Sequence, residues 1–143
     1  MPFDSTQQDR LFRGANALDV AISPEVMAKF SLFAERLEET NRTLNLTRIP
    51  PEEYVPLHFL DSIALATFWK PKPNTTLLDI GTGAGFPGIP LALLFPEIQV
   101  TLMDGTLKRL RFLDSVLEEM GVTNAKHFMH GQRRYAVRRS TIF

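Results

Sequence analysis

Three glycines at alternate positions follow a carboxylate in the stretch LLDIGTGAGFPG, where Gly81, Gly83 and Gly85 come just after Asp79. The residues before the glycines are typical of a buried strand, and those after them begin a helical pattern. In such a turn, backbone N–H groups and a helix N-terminus face a ligand at the carboxyl edge of a parallel sheet, and side chains at the glycine positions would block its approach. The spacing therefore predicts a loop that binds a nucleotide or nucleoside.

A second carboxylate, Asp104, ends the next predicted strand. At that position it can accept hydrogen bonds from both hydroxyl groups of an adenosine ribose. A simpler alternative stays open, because an aspartate at a strand end often only caps the next helix, and many glycine turns bind nothing. The two strand ends together favour a site that holds a nucleoside.

Two cofactors fit the glycine loop. From Gly83, the residues GAGFPG match the G-x-G-x-x-G pattern of dinucleotide enzymes, which makes an NAD-dependent oxidoreductase the alternative. From Asp79, the pattern is D-x-G-x-G-x-G, the loop of S-adenosylmethionine-dependent methyltransferases. A carboxylate just before the loop would repel a pyrophosphate but would attract the ammonium group of a methionine moiety. Asp79 therefore favours S-adenosylmethionine.

Helical periodicity dominates the first half of the chain. A helix is predicted to begin at Ser23, which can cap it, with Pro24 in its first turn, and its apolar face consists of Val26, Met27, Phe30, Phe33, Ala34 and Leu37. A second helical segment is predicted from Pro51 to about Trp69, with Pro56 expected to break or kink it. The face predicted for its later part consists of Leu57, Leu60, Ala64 and Phe68.

The pattern changes after the connector KPKPN. Strands predicted at 75–80, 98–104 and 125–129 alternate with helices at 87–95 and 107–121. This order predicts an α/β fold with βαβ units and a partial parallel sheet of about three strands. We therefore divide the chain into an N-terminal helical region (1–70), a partial S-adenosylmethionine-binding domain (71–131) and an atypical basic tail (132–143).

Composition limits the remaining possibilities. Sixteen Lys and Arg residues balance sixteen Asp and Glu residues, so contact with nucleic acid must depend on a local basic face rather than on bulk charge. The absence of cysteine excludes disulfides, thiolate nucleophiles and sulfur-ligated metals, and no metal site is expected. The N-terminus lacks the pattern of a secretory signal and no apolar run reaches membrane-spanning length, which favours a cytoplasmic protein without a membrane partner.

Four segments resemble the ribosomal RNA small-subunit methyltransferase G family, RsmG or GidB. They are LNLT at 44–47, HFLDSIAL at 58–65, LLDIGTGAGFPGIPLAL at 77–93 and LMDGTLKRLRFL at 102–113. The resemblance implies a class I methyltransferase with a Rossmann-like parallel sheet. It also implies transfer of a methyl group from S-adenosylmethionine to N7 of a guanine in small-subunit (16S) ribosomal RNA. The partner would be that RNA or an assembling small ribosomal subunit, and the oligomeric state stays open.

The resemblance also assigns residues to the cofactor. Gly81 and Phe86 would line its pocket, Gly83 and Gly85 would shape the loop, and Asp104 would hold the ribose. The complete set is Asp79, Gly81, Gly83, Gly85, Phe86, Asp104, Gly105 and Thr106. Gly105 stands where the family is expected to have Ser or Ala.

Guanine N7 carries a free lone pair, so the reaction needs positioning and tolerance of positive charge more than a strong base. His58 and Asp61 are the candidates near the target base, with Asn45 and Thr47 supporting the loop that receives it. Two further residues, Lys108 and Arg109, are candidates for RNA phosphate contacts. Turn capping and solvated helix faces remain the alternatives for these six residues.

The tail HGQRRYAVRRSTIF departs from the family pattern. We expect a truncated or frameshifted form, in which the first strand becomes an exposed sheet edge and S-adenosylmethionine binds weakly or not at all. A basic RNA-binding arm is the alternative for the tail. For the whole chain, the alternative outside enzymes is an inactive nucleotide-binding or RNA-binding remnant of the family.

Overall fold

A parallel β-sheet organises the second half of the chain. The computed structural model describes residues 3–129 and the backbone of residues 140–142. The strands are β1 (Thr76–Ile80), β2 (Gln99–Asp104), β3 (Ala125–Met129) and β4 (Ser140–Ile142), in the order β3-β2-β1-β4 with every pair parallel. The fold is therefore α/β and Rossmann-like, as the sequence predicts, with four described strands instead of about three.

The first strand does not form the edge of this sheet. Residues Thr76, Leu77 and Leu78 of β1 pair with Ser140, Thr141 and Ile142 of β4. The expectation that β1 is an exposed edge is therefore wrong for residues 76–78. A strand edge has unpaired N–H and C=O groups, and an extended segment that lies beside it can form hydrogen bonds with them. The segment at 140–142 was too short to show a strand pattern in the sequence. The arginine-rich part of the predicted basic tail lies outside the described residues.

Most of the helices lie where the sequence predicts them. They are α1 (Ser5–Ala17), α2 (Pro24–Asn41), α3 (Asp61–Ala64), α4 (Gly88–Leu94) and α5 (Leu107–Met120). The Val26 N–H donates to Ser23 Oγ at 3.2 Å, which confirms the predicted cap of α2. Gly121 follows the last residue of α5 in the left-handed conformation, close to the predicted end of this helix at 121. Helix α1 was not predicted.

The segment between residues 51 and 67 is less regular than predicted. A 3₁₀ turn (Pro51–Glu53), a π-helical turn (Val55–Leu60), α3 and a second 3₁₀ turn (Leu65–Thr67) follow one another. The predicted apolar face is wrong, since Leu57 is 52% exposed and Phe68 is 75% exposed. The buried face instead contains Val55, Phe59 and Ile63, because the helical phase is set by packing against α1 and α2 and not by Leu57.

One hydrophobic core joins the helical region to the sheet. Phe30 and Phe33 of α2 are fully buried and pack against Phe59, while Phe33 also stacks on Phe86 of the glycine loop. On the surface, the guanidinium of Arg36 holds the carboxylate of Glu119 on α5 with N···O distances of 2.7 to 3.0 Å. The division of the chain at residue 70 stays a prediction, but the packing is continuous across it. Within the described ranges, no helix is long and apolar enough to span a membrane.

Gly85 allows a test of how tightly the glycine loop is packed. Gly85 and Gly121 both have positive φ, but a Cβ at Gly85 would lie 2.7 Å from Ile89 Cδ1 and 2.9 Å from Leu113 Cδ2, whereas one at Gly121 would meet nothing within 4 Å. We expect Gly121→Ala to lower the free energy of unfolding by about 1 kcal/mol through backbone strain. Gly85→Ala should lower it by about 3 kcal/mol, because steric overlap adds to the strain. Urea denaturation measures both, and equal losses would contradict the packing argument.

Candidate active site

The glycine loop presents an open backbone surface at the carboxyl edge of the sheet. Gly81 and Gly83 have φ of 71° and 60°, and a Cβ at either would meet nothing within 4 Å. The N–H groups of Gly81 and Thr82 donate to the carbonyl of Met103 at 2.8 and 2.9 Å, which fastens the loop to the end of β2. The loop is therefore rigid on the side facing the sheet and open on the other, which suits the close approach of a ligand.

Asp79 lies beneath this loop and not on its open face. Its carboxylate is 2% exposed, and Oδ2 accepts hydrogen bonds from the Thr82 hydroxyl at 2.6 Å and the Gly88 N–H at 2.9 Å. Burial raises the pKa of Asp79 to about 6, although these two hydrogen bonds act in the opposite direction. The geometry gives Asp79 a role in organising the loop, and its predicted contact with a cofactor ammonium group stays a prediction.

Asp104 faces the glycine loop from the end of β2. Its Oδ2 accepts from the Gly83 N–H at 3.1 Å and its Oδ1 accepts from the Thr106 N–H at 3.0 Å. The guanidinium of Arg109 is 3.8 Å from Oδ1. The neighbouring Gly105 and Thr106 are exposed. Asp104 thus connects the loop after β1 with the loop after β2, at the position predicted for a ribose ligand.

A pocket of about 440 Å³ lies beside the glycine loop. Its walls come from the loop after α2, from the irregular helical segment and from the glycine loop: Leu46, Ile49, Leu57, His58, Asp61, Ser62, Leu65, Thr82, Ala84, Phe86 and Pro87. The predicted pair His58 and Asp61 therefore opens into the same cavity as Phe86. The lining is mainly apolar with a few polar groups, which is the usual character of a small-molecule site.

His58 is fixed in this pocket by a ring contact and a hydrogen bond. Its ring stacks on Phe86 with a centroid distance of 4.2 Å and an interplanar angle of 10°, and its Nε2 is 2.8 Å from the Thr47 hydroxyl. Burial lowers the pKa of His58 to about 4, against a smaller opposing effect of Asp61. The imidazole is therefore neutral at pH 7. It also lies in the π-helical turn, a local geometry that is frequent at functional sites.

The other predicted residues occupy different positions. Asp61 is exposed at the pocket wall, and Thr47 lies next to His58. Asn45 is exposed and lies outside the pocket, where its backbone carbonyl accepts a long hydrogen bond of 3.5 Å from Arg109. Lys108 and Arg109 line a shallow groove with the loop at 44–46. The structure thus brings Thr47, His58 and Asp61 together and places Asn45 with the two cations instead.

Sequence reasoning missed two residues that shape the site. Asn41, the last residue of α2, makes three hydrogen bonds to the backbone of residues 46 and 47. Phe33 stacks on the face of Phe86, with a centroid distance of 4.9 Å. The sequence does place Phe33 on the apolar face of α2, but it does not show that Phe33 packs against Phe86. For Asn41, no spacing rule identifies an asparagine that binds backbone five and six residues ahead.

The fold and these contacts define the class of the protein. A parallel sheet with a glycine loop after its first strand, a carboxylate at the end of its second and a pocket beside that loop is a Rossmann-like domain. Residues 26–133 match the family described as rRNA small subunit methyltransferase G. The chain belongs to this family.

Individual relatives agree with the family match. Proteins named ribosomal RNA small subunit methyltransferase G are similar to the chain: that of Desulfitobacterium hafniense is 47% identical over 76% of the chain, and that of Acetivibrio thermocellus is 43% identical over 77%. The corresponding protein of Lachnoclostridium phytofermentans is 38% identical over 89% of the chain. These matches cover 45%, 46% and 52% of the three relatives. The chain therefore spans about half the length of the curated relatives it matches.

The buried carboxylate of Asp79 predicts a specific pH dependence of stability. Its pKa is about 6 in the folded chain against an ordinary 3.8, so the folded state retains a proton that the unfolded state releases between these values. This group contributes stability below about pH 4 that is lost as the pH rises through 6. Asp79→Asn keeps an oxygen for Thr82 and Gly88 without a charge. We expect it to be more stable than the wild type at pH 7, by about 3 kcal/mol at most, with little advantage at pH 4.

Urea denaturation at a series of pH values measures this difference. The lowered pKa of His58 gives a slope of opposite sign over the same range, but it is present in both proteins and cancels in the comparison. Glu118→Gln, at an exposed carboxylate of α5 that has no side-chain hydrogen bond or ion pair to the described residues, is the control and should show no such trend. A difference between Asp79→Asn and the wild type that is constant from pH 4 to pH 7 would contradict the assignment.

Proposed function

We propose that the chain supplies the S-adenosylmethionine loop and the target-base pocket of a methyltransferase that modifies N7 of a guanine in small-subunit ribosomal RNA. The proposal depends mainly on one observation: Asp104 and the pocket that contains His58 and Asp61 both adjoin the open glycine loop. The names of the relatives support an RNA substrate. Action on ribosomal RNA or on an assembling small subunit would take place in the cytoplasm.

The described residues fit an adenosine-containing cofactor. A Cβ at Gly81 or Gly83 would meet nothing within 4 Å, and the carboxylate of Asp104, a residue that is 5% exposed, accepts from the Gly83 N–H. This carboxylate also accepts from the Thr106 N–H and lies 3.8 Å from the Arg109 guanidinium. A ribose diol can replace such contacts with hydrogen bonds to the same carboxylate. When bound, S-adenosylmethionine supplies an electrophilic methyl group on a sulfonium. The protein groups near it need only position the acceptor and exclude water.

The pocket beside the loop suits a base that gains positive charge. His58 is neutral at pH 7 because burial lowers its pKa to about 4, so it does not repel a base that becomes cationic. The exposed carboxylate of Asp61 at the pocket wall can stabilise that charge. Leu46, Ile49 and Leu65 give the cavity apolar walls for the faces of a purine. No group in this arrangement must act as a strong base, because N7 already has a free lone pair.

Lys108 and Arg109 are placed for contact with the RNA backbone. Both lie in the first turn of α5 beside the exposed Asn45, and the helix has no acidic residue in that turn. Cations next to a helix N-terminus attract phosphate oxygens without reading the base sequence. Leu46 lines both this groove and the pocket of His58, so an RNA strand could bind in the groove while its base enters the pocket.

Ligand preference distinguishes the proposed function from its alternatives. The chain spans about half the length of its relatives, and we expect it to bind its cofactor weakly. Saturation-transfer difference NMR is suitable because it detects weak binding. We expect signals from the adenosine protons of S-adenosylmethionine and not from NAD⁺. Asp104→Asn should weaken binding about tenfold or more, because one charged acceptor of the ribose hydroxyls is lost. Glu118→Gln, at an exposed carboxylate near the end of α5, is the control and should bind like the wild type.

Three outcomes separate the candidate functions. NAD⁺ signals that Asp104→Asn removes, without signals from S-adenosylmethionine, would favour the oxidoreductase. Binding of S-adenosylmethionine without formation of 7-methylguanosine in undermethylated small ribosomal subunits, measured by mass spectrometry of the nucleosides, would favour the inactive remnant. Binding and methyl transfer together support the proposal.

A further inference from the structure

We propose that Asn41 is the positioning residue of the pocket: its side-chain amide folds residues 44–47 into the conformation that holds the His58 ring against the glycine loop. The link to catalysis rests on the function proposed above, in which His58 contacts the target base. The structural part of the proposal does not depend on any activity. Neither the family match nor the sequence pattern singles out this residue.

The amide of Asn41 pairs with the backbone as a peptide group would. Its Oδ1 accepts from the Leu46 N–H at 2.8 Å and from the Thr47 N–H at 3.0 Å, while its Nδ2 donates to the Thr47 carbonyl at 3.0 Å. Donor and acceptor are thus both satisfied on the same residue, Thr47, which also fixes the orientation of the amide. An ionised carboxylate has no donor for the Thr47 carbonyl, so it could not reproduce all three contacts. One side chain therefore makes three of the hydrogen bonds that hold the loop after α2.

Thr47 transmits this constraint to the pocket. Its hydroxyl lies 2.8 Å from His58 Nε2 and accepts from the Ile49 N–H at 3.1 Å. His58 in turn stacks on Phe86 of the glycine loop. Leu46, whose N–H the same amide holds, is 7% exposed and lines the pocket. Direct contacts therefore connect Asn41, at the C-terminus of α2, with the glycine loop through Thr47 and His58.

Loss of the amide should expose His58 to water. In Asn41→Ala, residues 44–47 lose three hydrogen bonds, so the Thr47 contact and the cover that Leu46 gives to the pocket loosen. Burial is the main cause of the low pKa of His58, so we expect that pKa to rise by about one unit or more toward its ordinary value. Asp61 and Tyr54 stay beside the imidazole in both proteins. NMR titration of the three histidine rings, with the His58 ring signals assigned, measures the shift.

Asn45→Ala is the matched control. Asn45 lies on the same loop, is exposed, and has no side-chain hydrogen bond to the described part of the chain. This variant should leave the pKa of His58 unchanged. It should also leave the hydrogen exchange of the Thr47 amide unchanged, whereas Asn41→Ala should accelerate that exchange about tenfold or more relative to the Leu113 amide in α5. The Leu46 amide is a less specific probe, because it also donates to the Leu44 carbonyl at 3.0 Å. Equal behaviour of the two variants in both measurements would overturn the proposal.

A measurement on the unaltered chain covers the case in which Asn41→Ala does not fold. The side-chain amide protons of Asn41 should exchange with water about tenfold or more slowly than those of Asn45, because only the former are hydrogen-bonded in the loop. Equal rates would overturn the proposal. Failure of methyl transfer with the His58 results as expected would refute the proposed function and leave the role of Asn41 standing.

Discussion

The buried carboxylate of Asp79 is the interaction on which the site depends. At the end of β1 it accepts hydrogen bonds from Thr82 in the glycine loop and from Gly88 at the start of α4. It therefore determines where the loop turns and where the next helix begins. The raised pKa shows that burial of this charge is unfavourable, and the two hydrogen bonds only partly offset that effect. Space for the carboxylate also requires glycine at position 88, where a Cβ would lie 2.8 Å from Asp79 Oδ2.

The glycine loop also depends on the helical region that covers it. Phe86 stacks between His58 and Phe33 and meets the edge of the Phe59 ring. These partners come from α2 and from the π-helical turn, so the pocket exists only where the two halves of the chain pack together. Aromatic contacts of this kind contribute about 1 kcal/mol each beyond the area they bury. The stack places a neutral imidazole beside the loop without using an ion pair.

Local patterns accounted for the elements and for part of the site. The cap at Ser23, the apolar face of α2, the end of α5 at Gly121 and the bounds of β3 follow from capping rules and periodicity. The positions of the glycines and of Asp104 follow from the strand–loop–helix order. The buried face of the segment from 55 to 67 could not be predicted in the same way. A π-helical turn shifts the positions at which side chains face the core, and apolar residues occur on two sides of this segment. The pairing of β1 with a strand at 140–142 was also inaccessible, since a three-residue strand has no detectable period.

The sequence by itself determined the fold class, the glycine loop and the family, because these depend on residue spacing within short segments. The tertiary structure decided which side of the loop Asp79 faces, which asparagine supports the pocket and which residue covers Phe86. Each of these depends on contacts between segments far apart in the chain, where direction and distance are set by packing. Asn41 and Asn45 illustrate the difference: four positions apart in one polar stretch, one holds three backbone groups and the other is exposed.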